Sequence, residues 1–190
     1  MDLTEIKRST YILFVGIAIF AFCWIAAILI DGTWVFGVHT MSELGISDSF
    51  AKYLFFIGCV EAGICVTIYG FMMARETKLL LHRAVYYVFQ VAGLFLVCVG
   101  IFTMDYDIHG FFAVTFFALI GISVMIYAIY AASQKKCLSS LISAVVVVTG
   151  VILMVFTPLA FMESVFVILF LIWILFVDIT GYCCKNGCIK

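Results

Sequence analysis

The chain has 190 residues, of which 67% are hydrophobic and 11% are charged, and its formal net charge at pH 7 is -1. Soluble domains average about 45–50% apolar and about 25% charged residues, so this composition indicates an integral membrane protein and leaves no room for a soluble domain. The chain has no basic stripe with interleaved aromatic residues, which argues against a nucleic-acid partner.

Six apolar runs follow one another along the chain, separated by short polar connections. A helix needs about 20 apolar residues to cross the hydrocarbon core of a bilayer, so each run predicts one transmembrane helix. The predicted spans are residues 10–30, 51–74, 84–103, 111–132, 138–159 and 161–182. The predicted fold class is therefore all-α, an integral membrane bundle of six transmembrane helices that forms a single domain over residues 1–190.

The lysines and arginines are segregated along the chain. Nine of the ten lie at the termini or in alternate connections, and only Lys52 lies in a connection of the other set. By the positive-inside rule, this pattern predicts that both termini are cytoplasmic in a protein of the cell membrane. The acidic residues that then fall on the outer side are Asp31, Glu43, Asp48, Asp105, Asp107 and Glu163.

The eight cysteines do not form a pattern typical of a disulfide framework. Four lie within predicted spans and four on the predicted cytoplasmic side, where thiols stay reduced. Free thiols are the simpler interpretation, and a metal site among the cytoplasmic four is the alternative. The cytoplasmic four are Cys137, Cys183, Cys184 and Cys188.

Residues 31–50 form the longest polar interruption of the apolar chain, and they contain His39, Ser42 and Glu43 within five positions. Ser42 could act as a nucleophile with His39 or His109 as its base and with Glu43 or Asp105 orienting that base. The chain lacks the Gly-x-Ser-x-Gly motif of a nucleophile elbow. The alternative is that Ser42 and Glu43 are ordinary helix-start residues, with a cap for the second span at Ser47 or Asp48.

The connection between the third and fourth spans carries Asp105, Asp107 and His109 at alternate positions. Together with His39 they could bind a divalent metal such as zinc, with His39, Asp105 and His109 as ligands, or they could supply a general acid and base. The alternative for Asp107 is that it caps the fourth helix.

Glu61 is an ionisable residue within the second span. At a rise of 1.5 Å per residue it lies roughly 16 Å from the start of that span, close to the middle of the membrane. Such residues usually face a bundle interior or a cavity and are functional hypotheses by default. The alternative is a protonated side chain hydrogen-bonded to a neighbouring helix.

Several short motifs are arranged as in a known family. His39 to Gly45 reads His-Thr-Met-Ser-Glu-Leu-Gly, residues 54–58 read Leu-Phe-Phe-Ile-Gly and are followed by Gly63, and residues 100–102, Gly-Ile-Phe, lead to His109-Gly110. Over nearly its whole length the chain resembles the prokaryotic six-helix family known as domain of unknown function 998, which is distantly similar to the DRAM and Sfk membrane proteins. The resemblance implies six membrane helices and no assigned activity. Thr103 stands where a proline is expected, so the turn toward His109 could differ from the family's.

Two functional classes follow from these patterns. The first is a membrane-embedded hydrolase or transferase that acts on a lipid or lipid-linked group in an outward-facing polar pocket under the 31–50 loop. It would use water activated by a metal or by a base. The second is a non-enzymatic lipid-binding, carrier or scaffold protein, in which Glu61 pairs or gates within the bundle. Membrane lipids are the expected partners in both classes.

Overall fold

The computed structural model describes the backbone of residues 8–185 and the side chains of residues 8–177. All regular secondary structure in this range is helical, and the range includes no strand. The long helices are α1 (Arg8–Asp31), α2 (Ala51–Glu76), α3 (Leu80–Ile101), α4 (His109–Ser133), α5 (Cys137–Phe156) and α6 (Leu159–Lys185). All six are long and apolar enough to cross a membrane, which confirms the predicted fold class. The side chains of Cys183, Cys184 and Cys188 lie outside the described residues.

The connection between α5 and α6 lies earlier in the chain than predicted. The fifth span was expected to reach Leu159, but α5 ends at Phe156 and α6 begins at Leu159. Pro158 disfavours the helical conformation of the residue before it, and Thr157 is accordingly extended, with φ -127° and ψ 156°. The carbonyl of Pro158 then accepts a hydrogen bond from the backbone N–H of Met162 at 3.0 Å, which opens α6.

Helix α3 also begins four residues earlier than predicted, at Leu80. The polar residues that suggested a connection have partners on α4 and just after the end of α2. The ring of His82 stacks on Tyr130 of α4 with 4.0 Å between centroids, and Nε of Arg83 donates to the carbonyl of Thr77 at 2.9 Å. Paired in this way, both side chains fit the first turns of a membrane helix.

Small residues allow α2 and α3 to approach closely. A Cβ atom on Gly63 would lie 2.6 Å from the carbonyl oxygen of Gly93, and a Cβ atom on Gly70 would lie 2.7 Å from the carbonyl oxygen of Tyr86. Real side chains do not tolerate such distances to backbone atoms. Close packing of this kind is typical of helix pairs in membranes, where small residues let the two backbones meet.

An aromatic cluster joins α6 to the rest of the bundle. Trp173 is only 1% exposed and packs against Phe89 of α3 and Tyr127 of α4, with ring centroids 6.0 Å and 5.5 Å away. Its indole Nε1 donates a hydrogen bond of 2.8 Å to Oγ of Ser143 in α5. The buried indole therefore has a partner for its only polar atom, and it ties α6 to three other helices.

Residues 32–50 connect α1 and α2 and contain a short 3-10 helix, Met41–Ile46. The carboxylate of Asp31 holds the two ends of this loop together, since it accepts hydrogen bonds from the backbone of Trp34 at 2.9 Å and from the hydroxyl of Ser47 at 2.6 Å. Gly37, at φ 76°, packs against the ring of Phe161 at the start of α6. The loop thus folds over one end of the bundle, which we call the loop end.

The predicted cap of the second span at Ser47 or Asp48 is wrong. Ser47 is engaged with Asp31, and α2 begins only at Ala51, whose backbone N–H donates to Oγ of Ser49 at 3.1 Å. The cap differs from the prediction because the loop closes on itself before α2 starts, which engages Ser47 with Asp31.

Candidate functional site

A cavity of about 670 Å³ lies between α4, α5 and α6 and reaches the loop end. Its walls include apolar side chains that are more than two-fifths exposed on the flank of the bundle. These are Val114, Ile122 and Met125 on α4 and Val151 and Met154 on α5. The cleft therefore opens sideways, on the flank of the bundle.

The lining of the cleft changes character along its length. Its polar members gather at the loop end, and the rest of the wall is apolar. The polar members are Thr40, Ser42, Tyr106, Asp107, His109 and Glu163. None of the described residues that line the cleft is a lysine or an arginine. The cleft is therefore amphipathic, with an apolar body and an acidic, acceptor-rich end.

Glu163 lies in the first two turns of α6 and is the central polar residue of this end. Its side chain is only 8% exposed. One carboxyl oxygen accepts a hydrogen bond from the hydroxyl of Ser42 and the other accepts one from the backbone N–H of Met41, both at 3.2 Å. Sequence analysis counted Glu163 among the outer acidic residues and missed it as a site residue. A lone acid inside an apolar span was the available signal, as it was for Glu61.

A second, smaller cavity of about 70 Å³ lies inside the bundle. Ser42, Glu163, Phe117 and Phe166 line both this cavity and the cleft. The rings of Phe117 and Phe166 meet edge to face, with centroids 5.6 Å apart. The Ser42–Glu163 pair and these two rings therefore separate the interior cavity from the cleft.

His109 is the first residue of α4, is 7% exposed and lines the cleft. Its Nδ1 lies 2.6 Å from the carbonyl oxygen of Phe102. Because a carbonyl only accepts, Nδ1 carries the hydrogen in this contact. In the neutral ring, Nε2 then has a free lone pair and can accept a hydrogen bond or a proton.

His39 and Glu43 stabilise the loop itself. Nδ1 of His39 accepts a hydrogen bond from the backbone N–H of Val35 at 3.0 Å, so the neutral ring of His39 carries its hydrogen on Nε2. Oε1 of Glu43 accepts from the backbone N–H of Thr40 at 2.8 Å and from its hydroxyl at 3.0 Å. These are the contacts of a helix start, in which a carboxylate three residues into the helix bonds back to the capping residue.

The nucleophile arrangement predicted for Ser42 is not formed. Its hydroxyl donates to Glu163 and not to His39 or His109, and Glu43 is occupied by Thr40. The prediction paired Ser42 with groups close in sequence or on the same side, and a catalytic role for Ser42 stays a prediction. The fold instead brings in an acid from α6.

The predicted metal site is not assembled either. Within the described part of the chain, no three His, Cys, Asp or Glu side chains form a group that could hold a metal ion. His39 accepts a hydrogen bond from Val35 within its own loop, His109 donates one to the carbonyl of Phe102, and Asp105 is exposed. The three proposed zinc ligands therefore lie in separate surroundings.

The alternative that Asp107 caps α4 is also wrong. The capping position is Ile108, which makes no side-chain capping hydrogen bond. The chain enters α4 through a backbone turn, in which the N–H of His109 donates to the carbonyl of Tyr106 at 2.9 Å. The exposed side chain of Asp107 lines the cleft instead.

Glu61 lies apart from the cleft, where α2 faces α1. Its Oε1 accepts a hydrogen bond from the thiol of Cys65 at 3.1 Å, and it would lie 3.9 Å from a Cβ atom on Gly16 of α1. Its Oε2 is buried and has no hydrogen-bond partner. The lining of the two cavities described above does not include Glu61, so the acid beneath the loop is Glu163 and not Glu61.

Comparison with known proteins identifies the family but not an activity. Residues 14–179 match the family model described as "Protein of unknown function (DUF998)". Neither the curated proteins nor the solved structures include a significant match. Since the family model matches well over half of the sequence, the chain belongs to the DUF998 family of proteins of unknown function.

Proposed function

We propose that this protein binds a membrane amphiphile, with the hydrocarbon chain in the cleft between α4, α5 and α6 and the head group at the loop end. The observation that carries the proposal is the amphipathic lining of one continuous cavity of about 670 Å³. Ligand cavities of about 300–1,000 Å³ with mostly apolar walls and a few convergent polar groups are the usual form of a small-molecule site.

The position of the cleft fits a ligand that arrives from the bilayer. Val114, Met125 and Met154 line it and are also exposed on the flank of the bundle. An amphiphile could therefore enter sideways without leaving the hydrocarbon region. Of the lysines and arginines among the described residues, only Lys52 belongs to the loop end, so the positive-inside rule supports a head group on the outer face of the cell membrane.

The loop over residues 32–50 contributes to the head-group end of the cleft. Thr40 and Ser42 belong to the loop and line the cleft, and the hydroxyl of Thr40 reaches Sδ of Met104 at 3.8 Å. Glu163 accepts hydrogen bonds from both Met41 and Ser42 of the 3-10 helix. The loop therefore acts as an ordered cover for the polar end, in contact with the α3–α4 connection and with the start of α6.

A photoreactive probe tests this proposal. A single-chain alcohol with a diazirine in its hydrocarbon chain is added to membranes that contain the protein, and labelled peptides are mapped by mass spectrometry after irradiation. We expect labelling within residues 109–125 of α4 and 146–154 of α5. Gly121 lines the cleft and a Cβ atom there would meet no other atom within 4 Å, so Gly121→Phe can fill the cleft without a backbone clash.

The matched control is Val148→Phe, because Val148 is 56% exposed on α5 and does not line the cleft. We expect Gly121→Phe to reduce labelling of these peptides several-fold and Val148→Phe to leave it unchanged. Uniform labelling of all exposed helix faces, or equal effects of the two variants, would overturn the proposal, since either result describes ordinary contact with bulk lipid.

A second candidate function is an enzymatic one, a hydrolase or transferase that acts on the bound amphiphile. The contact between His109 Nδ1 and the carbonyl of Phe102 favours it, because this contact leaves Nε2 available as a base at the polar end of the cleft. The hydroxyl of Ser42 lines the same end, and it would have to leave Glu163 to react.

Lipid extracts incubated with wild-type protein and with His109→Gln test this enzymatic function. Turnover that is lost in the variant supports an enzyme, and turnover unchanged by the substitution removes His109 as its base.

A further inference from the structure

We propose that the amphiphile bound in the cleft carries a cationic head group of the ammonium type, held by the carboxyl groups of Asp107 and Glu163. This inference rests on the proposed function and names the class of ligand. It commits to one occupant of the cleft, a single-chain amphiphile with a positively charged nitrogen, and it follows from charge and hydrogen-bonding capacity at the loop end.

The charge of the lining points to a cation. The two ionisable acids of the cleft are Asp107 and Glu163, and none of the described lining residues is a lysine or an arginine. The nearest basic residue in sequence to the loop, Lys52, lies over the ring of Tyr53 with its Nζ 5.5 Å from the centroid and does not line the cleft. A phosphate or carboxylate head group would therefore meet like charge without a basic partner.

The hydrogen-bonding capacity of the lining points the same way. An ionised carboxylate offers about four acceptor positions and no donor, and Glu163 uses one on each oxygen for Ser42 and Met41. Nε2 of His109 is a further acceptor in the neutral ring, because Nδ1 carries the hydrogen toward Phe102. An ammonium group brings three donors and no acceptor, which complements this set.

The surroundings of Glu163 supply a third argument. The hydrogen bonds that Ser42 and Met41 donate to its carboxyl group come from neutral donors, and the side chain is 8% exposed. A buried carboxylate without a cation is strongly unfavourable, and a nearby positive charge offsets that penalty. In the described cleft, a bound head group is the group that can supply this positive charge.

The test compares three single-chain probes that differ only in head group: dodecylamine, dodecanol and dodecyl phosphate. The full-length protein is kept in a non-ionic maltoside micelle, and bound probe is counted by native mass spectrometry over a range of probe concentrations. Hydrogen bonds to charged groups are stronger than those between neutral groups, so we expect dodecylamine to bind about tenfold or more tightly than dodecanol, and dodecyl phosphate to bind least.

Neutral isosteres of the two acids locate the effect. Asp107→Asn and Glu163→Gln should each weaken dodecylamine binding by about tenfold and leave dodecanol binding unchanged, because each removes a charge and keeps the shape. Asp105→Asn is the matched control, since Asp105 is exposed in the same connection and does not line the cleft. It should leave the binding of all three probes unchanged.

The outcomes separate this inference from the proposed function. If dodecanol binds but dodecylamine has no advantage, or if Asp105→Asn matches the effect of Asp107→Asn, the ammonium inference is wrong and the amphiphile site stands. If no probe is retained by the wild-type protein, both fail. Preference for dodecyl phosphate would also overturn the inference, because it would require a basic partner at the loop end.

Discussion

Ser42 in the 3-10 helix donates its hydroxyl hydrogen to Glu163 in α6 across 121 positions of sequence, with 3.2 Å between Oγ and Oε1. Ser42 is 5% exposed and Glu163 8% exposed, so this hydrogen bond is shielded from water. Together with the bond from Met41, it anchors the loop to the last helix of the bundle. The polar end of the cleft therefore depends on a contact between the two halves of the chain.

Removal of the Ser42 hydroxyl should loosen the loop. A neutral hydrogen bond contributes about 0.5–1.5 kcal/mol, and a buried acceptor left unpaired adds to that loss, so we expect Ser42→Ala to lower the local stability of residues 41–46 by about 1–2 kcal/mol. Amide hydrogen exchange of this segment, followed by mass spectrometry in detergent, measures the change. It should appear as faster exchange by about one order of magnitude.

Ser133→Ala is the control for this experiment, because Ser133 also donates a side-chain hydrogen bond, of 2.7 Å, but to the carbonyl of Tyr130 within its own helix. It should leave exchange at residues 41–46 unchanged. Equal exchange of the 41–46 segment in wild-type protein and in Ser42→Ala would show that the bond to Glu163 does not hold the loop.

The six membrane helices could be predicted because their signal is local. Each apolar run is long enough to span a bilayer, and length and composition alone decide that property. The helix ends were harder to predict, since they depend on partners elsewhere in the fold. The conformational restriction before Pro158 was legible in the sequence, whereas the stacking of His82 on Tyr130, which draws the first turns of α3 into the bundle, was not.

The site was only partly predictable for the same reason. Ser42, Asp107 and His109 were predicted as site residues on one side of the membrane, and all three line the cleft. His39 and Glu43 looked equally suited by residue type, but local bonds within the loop engage them. No local pattern encodes which helix will present a carboxyl group to Ser42. That partner follows from the packing of α6 beneath the loop.

Close contact between α2 and α3 should make Gly63 intolerant of any side chain. A Cβ atom there would lie 2.6 Å from the carbonyl oxygen of Gly93, and neither backbone can move without disturbing the packing. Forcing extra volume into a packed interface typically destabilises by about 1–3 kcal/mol, so Gly63→Ala should lower the free energy of unfolding by that amount. Unfolding in mixed micelles of increasing dodecyl sulfate content measures it.

Gly121→Ala is the control for Gly63→Ala. A Cβ atom on Gly121 meets nothing within 4 Å, and alanine is favoured over glycine in a helix by about 1 kcal/mol. This variant should be as stable as the wild-type protein or slightly more stable. If Gly63→Ala were as stable as the wild-type protein, α2 and α3 would not approach each other this closely.

His109 should occupy the tautomer with the hydrogen on Nδ1, while His39 should occupy the opposite one. The first contacts a carbonyl through Nδ1, and the second accepts a backbone N–H through the same atom. Nitrogen-15 NMR of protein labelled at its three histidines distinguishes protonated from unprotonated ring nitrogens at neutral pH. Spectra of His109→Asn and His39→Asn assign the signals, and identical tautomers for the two rings would contradict these hydrogen bonds.

Substitution of His109 separates its structural contribution from a chemical one. His109→Ala leaves the half-buried carbonyl of Phe102 without its donor, and the lost hydrogen bond costs about 0.5–1.5 kcal/mol. Asparagine can present an amide N–H in the place of Nδ1, so His109→Asn should recover most of that stability in thermal unfolding. If His109 also serves as a base, any lipid turnover should be lost in both variants, because neither retains a titratable nitrogen.

We expect an apolar side chain at position 61 to make the protein more stable than the acid Glu61 does. Its Oε2 is buried without a partner, and its only hydrogen bond comes from the thiol of Cys65, which is a weak donor. Replacing a poorly satisfied buried polar group by an apolar side chain of similar length is often stabilising, so Glu61→Met should raise the free energy of unfolding by about 1–3 kcal/mol.

Glu163→Met is the comparison and should lower the free energy of unfolding, because both oxygens of Glu163 accept hydrogen bonds. Both variants are followed by the same unfolding titration and by the photolabelling of α4 and α5. If Glu61→Met instead lowered stability or labelling, Glu61 would have a partner or a role in the cleft, as the general behaviour of intramembrane acids suggests.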